Sequence, residues 1–272
     1  MKFARVDLKE PKIMGVINVS PESFYKGSVK KSEKELISTV LKMIEDGASF
    51  IDIGAKSTAP YLETQISVEE EIRRAVWAVS IVREYVNVPI SIDTTNSRVA
   101  EEAIKAGADI INDVTGFKGD KQMPKVAGEY GTPAVLCAHA EDINLRLKDP
   151  IHTVIDALQE SLVTAQKYGV EDVAVDPAIG FLRPDWLPWY EWDSKILANL
   201  NMLKVFGKPI LVGVSRKSFI GAITGRKAEE RLAGSLAATA VAVFNGAHII
   251  RTHDVRETLD AVKVAEFIGK QR

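Results

Sequence analysis

The sequence predicts an α/β fold, a single-domain (β/α)8 TIM barrel, and three observations carry that prediction. Eight short β-branched runs alternate with amphipathic stretches along the 272 residues. Most of these runs are near-continuously apolar, as strands covered on both faces of a parallel sheet are. No Pro/Gly/Ser linker, low-complexity tract or charge block breaks the alternation, so residues 1–272 read as one domain.

The strands are expected at 12–17 (KIMGVI), 49–54 (SFIDIG), 89–93 (PISID), 109–113 (DIIND), 133–137 (PAVLC), 172–176 (DVAVD), 209–214 (PILVGV) and 247–251 (AHIIR). Helical patterns fill the gaps. Ser32 with Glu35 and Ser67 with Glu70 have capping-box spacing, and EEEIRRAVWAVSIVREY repeats its apolar residues at intervals of three and four. Gly47, Gly107, Gly131, Gly169, Gly207 and Gly246 stand where a helix closes before the next strand. A doubly wound open sheet is the structural alternative. It usually has fewer strands, and no G-x-G-x-x-G follows the first strand here. The stretch 181–193, FLRPDWLPWYEWD, reads as a long βα loop holding three of the four tryptophans.

Composition narrows the function classes. A hydrophobic content of 46% suffices for one large core, and Lys+Arg 35 against Asp+Glu 37 leaves a net charge of −2. Nothing in that balance suggests a nucleic-acid or membrane partner. The lone Cys137 lies in an apolar run and reads as a buried reduced thiol. The N-terminal MKFARVDLKE lacks the apolar stretch of a signal peptide, and no window approaches a membrane span. The expectation is a soluble, cytoplasmic protein.

Barrels bind ligands at the carboxyl ends of their strands. Here those ends carry Asn18, then Lys56, Ser57 and Thr58, then Asp93, then Asn112 and Asp113, and then His139 and Asp176. Ser215, Arg216 and Lys217 follow the seventh strand, and Arg251 and His253 the eighth. Singly, each has a plainer reading: Asp93 and Asp113 as turn or cap residues, Asn18 in an Asx turn, Lys217 solvated, His253 packed under a loop. Their common location argues for one pocket. Two carboxylates (Asp93, Asp176) and an amide (Asn112) suit a planar heterocycle rich in N–H donors. A carboxylate pairs with a guanidine-like edge through two parallel hydrogen bonds. Ser215-Arg216-Lys217-Ser218, with Arg251 and His253, forms a cationic cluster where barrels often hold phosphate with help from helix N-terminal amides.

The motifs at these strand ends resemble the dihydropteroate synthases, a family of pterin-binding enzymes. IMGVINVSPESF (13–24), FIDIGAKSTAP (50–60), SIDT (91–94), GADIINDVTG (107–116), DPAIGF (176–181), LVGVSRKSFIG (211–221) and RTHDV (251–255) recur in the family's order. The resemblance runs over residues 12–268. It implies an enzyme that joins 6-hydroxymethyl-7,8-dihydropterin diphosphate to the amine of 4-aminobenzoate, releasing pyrophosphate, a step of folate biosynthesis. It further implies that Asp93, Asn112 and Asp176 hydrogen-bond the pterin ring, with Lys217 beside it. Asn18 would ligate a Mg²⁺ cofactor. Arg251 and His253 would bind the leaving pyrophosphate with help from Thr58, and Ser218 would receive the aminobenzoate carboxylate. A homodimer is implied as well. Catalysis of this kind rests on positioning and charge stabilisation more than on proton transfer.

The sequence departs from the family's pattern in three loops. Lys56 replaces an acidic residue and Ala59 stands where an Arg is usual, so Lys56 or Lys26 takes on its task or the leaving-group site is weaker. Glu22 replaces an Asp, with Tyr25-Lys26-Gly27 in place of a more acidic stretch. Arg183 stands in for a Lys beyond Gly-Phe, ahead of the Trp-rich insert. These changes leave open a larger arylamine, such as a ribosyl-phosphate derivative used in methanopterin synthesis, and a pterin-binding protein without catalysis. A corrinoid-linked pterin methyltransferase would have no use for the basic cluster, and a Schiff-base aldolase would use Lys217 as nucleophile.

Overall fold

Strand runs covered on both faces, each followed by a helix, close on themselves. The computed structural model describes residues 1–19, 32–56, 66–140 and 149–271. Within these, the strands are β1 (Lys2–Phe3), β2 (Val6–Asp7), β3 (Lys12–Asn18), β4 (Ala48–Gly54), β5 (Ile90–Asp93), β6 (Ile110–Asp113), β7 (Ala134–Cys137), β8 (Val173–Asp176), β9 (Leu211–Gly213) and β10 (Ile249–Thr252). The helices are α1 (Glu33–Glu45), α2 (Val68–Tyr85), α3 (Ser97–Lys105), α4 (Met123–Tyr130), α5 (Pro150–Lys167), α6 (Trp189–Ala198), α7 (Ser218–Thr224), α8 (Leu232–Phe244) and α9 (Val255–Gly269). Among the described residues, β3 to β10 form one eight-stranded parallel sheet in the order β8-β7-β6-β5-β4-β3-β10-β9. A parallel bridge between Val175 and Ile210, with the Val175 amide on the Pro209 carbonyl at 2.8 Å, joins the two ends. The result is the (β/α)8 barrel the sequence predicts.

The local signals act as their chemistry requires. Ser32 and Ser67 cap α1 and α2, accepting the Glu35 and Glu70 amides at 3.3 and 3.1 Å. Glu70's own carboxylate goes to Arg73 and Arg74 rather than back to the cap. All six glycines predicted to close helices have positive φ. Asp113 proves to be a loop-holding residue: it accepts Thr115 Oγ1 and the amides of Thr115 and Phe117.

Two features depart from the prediction. The two-residue strands β1 and β2 pair into an antiparallel hairpin under the barrel. Its Phe3, Ala4 and Leu8 pack against Met14, Phe50, Ile110, Val135, Ala174, Leu211 and Ile249, the lowest layer of the interior. The stretch 181–193 is not a loop throughout. Pro188 sits at the cap of α6, which starts at Trp189, and Trp192 is fully buried in the outer core. Proline pre-sets a helical start, so Pro188 marks an entry rather than more loop.

Candidate active site

Register builds the upper end of the barrel. Asn18 pairs with Gly54, Gly54 with Asp93, and Asp93 with Asn112, so four neighbouring strands present one layer at their carboxyl ends. Gly54 keeps that layer open: a Cβ there would stand 2.6 Å from Asn18 Oδ1. On the far side, Asp176 pairs with Cys137, and Arg251 lies beside Gly213 and Met14.

Asp52 sits one layer down on β4, with no exposed surface, and organises the mouth. Arg251 donates from Nε to Asp52 at 2.7 Å and from Nη2 to Asp93 Oδ2 at 2.8 Å. Asn112 Nδ2 lies 3.4 Å from both Asp52 oxygens. One guanidinium thus serves two carboxylates. Asp93 Oδ1 is buried without a hydrogen-bond partner, as is Ser91 Oγ beneath it. Burial, with Asp52, Glu71 and Asp113 nearby, raises the Asp93 carboxyl to about 7 against the pull of Arg251. The same two carboxylates hold Arg251 firmly cationic against its burial. Glu71, almost buried on α2, accepts Thr94 Oγ1 at 2.6 Å and braces the segment after Asp93.

Asp176 and Lys217 make the second half. Asp176 Oδ1 accepts the Ala178 amide at 2.8 Å; burial raises its carboxyl, and Lys217 opposes the rise. Lys217 Nζ donates to the Ile179 carbonyl and lies 4.5 Å from the Phe181 ring centroid. Burial lowers its ammonium, and Asp176 opposes that. The barrel mouth therefore combines buried carboxylates with fewer cations than they need, an arrangement that stabilises positive charge developing on a bound ring.

The predicted cationic cluster divides. His253 Nδ1 meets Ser215 Oγ at 2.9 Å, and burial with Arg251 close by pushes its imidazole down to about 3, so it is neutral at physiological pH. Arg216 leaves the cluster. Its backbone has φ 57°, and its guanidinium binds Asp254 with two contacts of 2.9 Å, plus the Ala228 and Glu229 carbonyls. It ties the loop after β9 to the start of α9. Ser218 opens α7, where Arg183 Nη2 reaches its Oγ at 3.2 Å; Arg183 also stacks 5.2 Å from the Trp189 ring centroid. Lys118 holds the His139 carbonyl at 2.8 Å. Thr58, like Ser57, Ala59 and Lys26, lies outside the described residues.

Asp93, Asn112, Asp176, Lys217 and Arg251 therefore converge on one mouth, with Asn18 at its rim and His253 beside Ser215. Sequence reasoning missed Asp52. Its signal was a lone acid inside an apolar strand, a place where a charge is retained only with partners.

Comparison with known proteins decides the family. The family model of pterin binding enzymes matches residues 14–253. The chain belongs to the pterin-binding enzyme family. Within the family it is similar to the dihydropteroate synthase of Clostridium beijerinckii, 39% identical over 262 residues, covering 95% of this chain and 94% of the relative. The Escherichia coli K12 dihydropteroate synthase is 35% identical over 268 residues, with 96% and 93% covered. Among solved family structures, the Coxiella burnetii dihydropteroate synthase in complex with pteroic acid superposes with TM-score 0.88 at 32% identity, covering 98% of this chain and 96% of that one. The Xanthomonas albilineans enzyme with 4-aminobenzoic acid gives 0.86 at 32% identity, with 97% and 95% covered. By these likenesses the chain is a pterin-binding transferase of the dihydropteroate synthase type.

Proposed function

We propose that the barrel mouth joins 6-hydroxymethyl-7,8-dihydropterin diphosphate to 4-aminobenzoate and releases pyrophosphate. The observation that carries the reading is the orphaned Asp93 Oδ1, buried beside Asn112 and across the barrel mouth from Asp176. A buried acceptor without a donor costs free energy, and a ring with an N–H edge removes that cost on binding. Asp93, Asn112 and Asp176 hydrogen-bond the pterin ring, and Lys217 lies against it. Arg251, held by Asp52 and Asp93, reaches from the ring towards the diphosphate, where neutral His253 donates a hydrogen bond. Thr58 is assigned to the diphosphate as well. Ser218 and Arg183 receive the carboxylate of the arylamine, and Lys56 supplies positive charge in place of the family's loop Arg.

Asn18 is the residue that holds Mg²⁺. Its amide oxygen is a hard donor at the rim, and Gly54 leaves it room. Mg²⁺ keeps several waters and takes phosphate oxygens readily, so one protein ligand suffices. When bound, the ion neutralises the diphosphate and makes pyrophosphate a better leaving group. Asn18→Ala is expected to raise the Mg²⁺ concentration needed for half-maximal rate; an unchanged requirement removes Asn18 from the role.

The enzyme works as a homodimer in the cytoplasm. Helix α8 has no charged residue in LAGSLAATAVAVF, yet Ala233, Ala237 and Val241 on one face are exposed, as are Phe267 and Ile268 of α9. Such a face calls for cover, here by a second copy. Sedimentation of Val241→Glu as a monomer supports this, and a monomeric parent protein refutes it. The buried free Cys137 suits a reducing compartment.

The test of the activity is pyrophosphate release with Mg²⁺, the pterin diphosphate and either 4-aminobenzoate or its ribosyl-phosphate derivative. Release dependent on 4-aminobenzoate, and abolished in Lys217→Ala, is expected. Release with the larger amine alone, or none with either, contradicts the proposal.

A further inference from the structure

The segment after β8 follows an uncommon backbone path. Ala178, which carries a Cβ, has φ 62°, and Gly180 has φ 82°. Non-glycine residues at positive φ persist only where surrounding contacts hold them. Two buried carboxylates hold this path. Asp176 Oδ1 accepts the Ala178 amide at 2.8 Å, and Asp193 Oδ1 accepts the Gly180 amide at 2.9 Å. Asp193 reaches across from α6 and has no exposed surface, and its Oδ2 is buried without a hydrogen-bond partner.

Three consecutive residues of the segment seat one side chain. The Ile179 carbonyl takes Lys217 Nζ, and the Phe181 ring lies 4.5 Å from it. A Cβ on Gly180 would stand 2.9 Å from Lys217 Cδ, so the lysine stem rests on bare backbone. The position of Lys217 is therefore the position of this segment.

We propose that Asp193 is a positioning residue: by anchoring the Gly180 amide to α6, it holds the 178–181 path that seats Lys217 at the pterin pocket. The proposal rests on Lys217 lying beside the bound ring. Asp193 itself stands behind the segment and acts through it. The cations facing it, Lys217 and Arg183, favour its ionised form, while burial raises its carboxyl to about 6.

Asp193→Ala leaves the Gly180 amide without its acceptor, whereas Asp193→Asn keeps an oxygen at the same place. The experiment titrates each folded variant, and Lys217→Ala, with 6-hydroxymethyl-7,8-dihydropterin, and follows hydrogen exchange of the 177–182 amides. Asp193→Ala is expected to weaken pterin binding by about tenfold or more and to speed Gly180 exchange. Asp193→Asn is expected to recover most of both, and the KM for 4-aminobenzoate is expected to move less than the pterin affinity in either variant. Wild-type pterin affinity in Asp193→Ala, with weakened binding in Lys217→Ala, overturns the proposal alone. Asp193→Asn as weak as Asp193→Ala overturns the anchoring role. Wild-type affinity in Lys217→Ala overturns the reading of Lys217, and the proposal with it.

Discussion

The two ends of the barrel interior differ sharply, although the same strands build both. At the bottom, Phe3, Ala4 and Leu8 of the hairpin close over Met14, Phe50, Ile110, Val135, Ala174, Leu211 and Ile249. The side chains packed there are all apolar. One inward position further along β4, Phe50 gives way to Asp52, and the layer above holds Asp93, Asn112 and Arg251. The mouth leaves Ser91 Oγ and Asp93 Oδ1 unpartnered, while the side chains of the hairpin layer carry no polar group to be left so. The bottom can be optimised for folding alone, by apolar area removed from water. The mouth keeps polar groups short of partners so that a ligand can supply them. Stability and function are divided along the barrel axis.

That division makes different substitutions fail in different ways. The largest expected effect is at the bottom. Phe3→Ala should cost about 3–5 kcal/mol of stability, read by denaturant unfolding, with kcat little changed at temperatures where the variant is folded. A comparable loss of kcat would show that the hairpin reaches the chemistry.

The effect at the mouth depends on pH. His253 is held down to about 3 in the folded chain against an ordinary 6.5. Between those values the unfolded chain binds the proton that the folded chain refuses, so His253 costs stability as pH falls below about 6.5. Relative to His253→Asn, the parent protein should lose at most about 1.4 kcal/mol per pH unit over that window, and the two should run parallel above pH 7. Parallel curves at low pH would mean that the imidazole is solvated.

The contrast also explains what the sequence made legible. The eight barrel strands and the helix caps were readable because their signals are local: apolar runs, a serine three residues before a glutamate, a glycine after the last turn. The hairpin was not, since two-residue strands carry no alternation. Its turn also places Ala4 and Arg5 at φ 44° and 71°, without the Gly or Asn that usually marks such a turn. Strand-end residues such as Asp93, Asn112 and Asp176 stood out by position. Asp52 and Asp193 did not, because each acts by touching residues distant in sequence: Arg251 for Asp52, Gly180 for Asp193. Arg216 shows the opposite error. Its charge fitted a phosphate cluster, but its left-handed backbone turns the guanidinium to Asp254.

The most direct test of the unpartnered mouth is a calorimetric titration of Asp93→Asn with 6-hydroxymethyl-7,8-dihydropterin at pH 8, beside its melting temperature. Burial raises the Asp93 carboxyl to about 7, so at pH 8 the parent protein carries a charge there that the fold would shed. The amide keeps one oxygen for Arg251 but presents a donor where the ring also donates. The account predicts pterin binding weakened by about tenfold or more, with a melting temperature no lower than the parent's. Parent-like affinity in Asp93→Asn would contradict it.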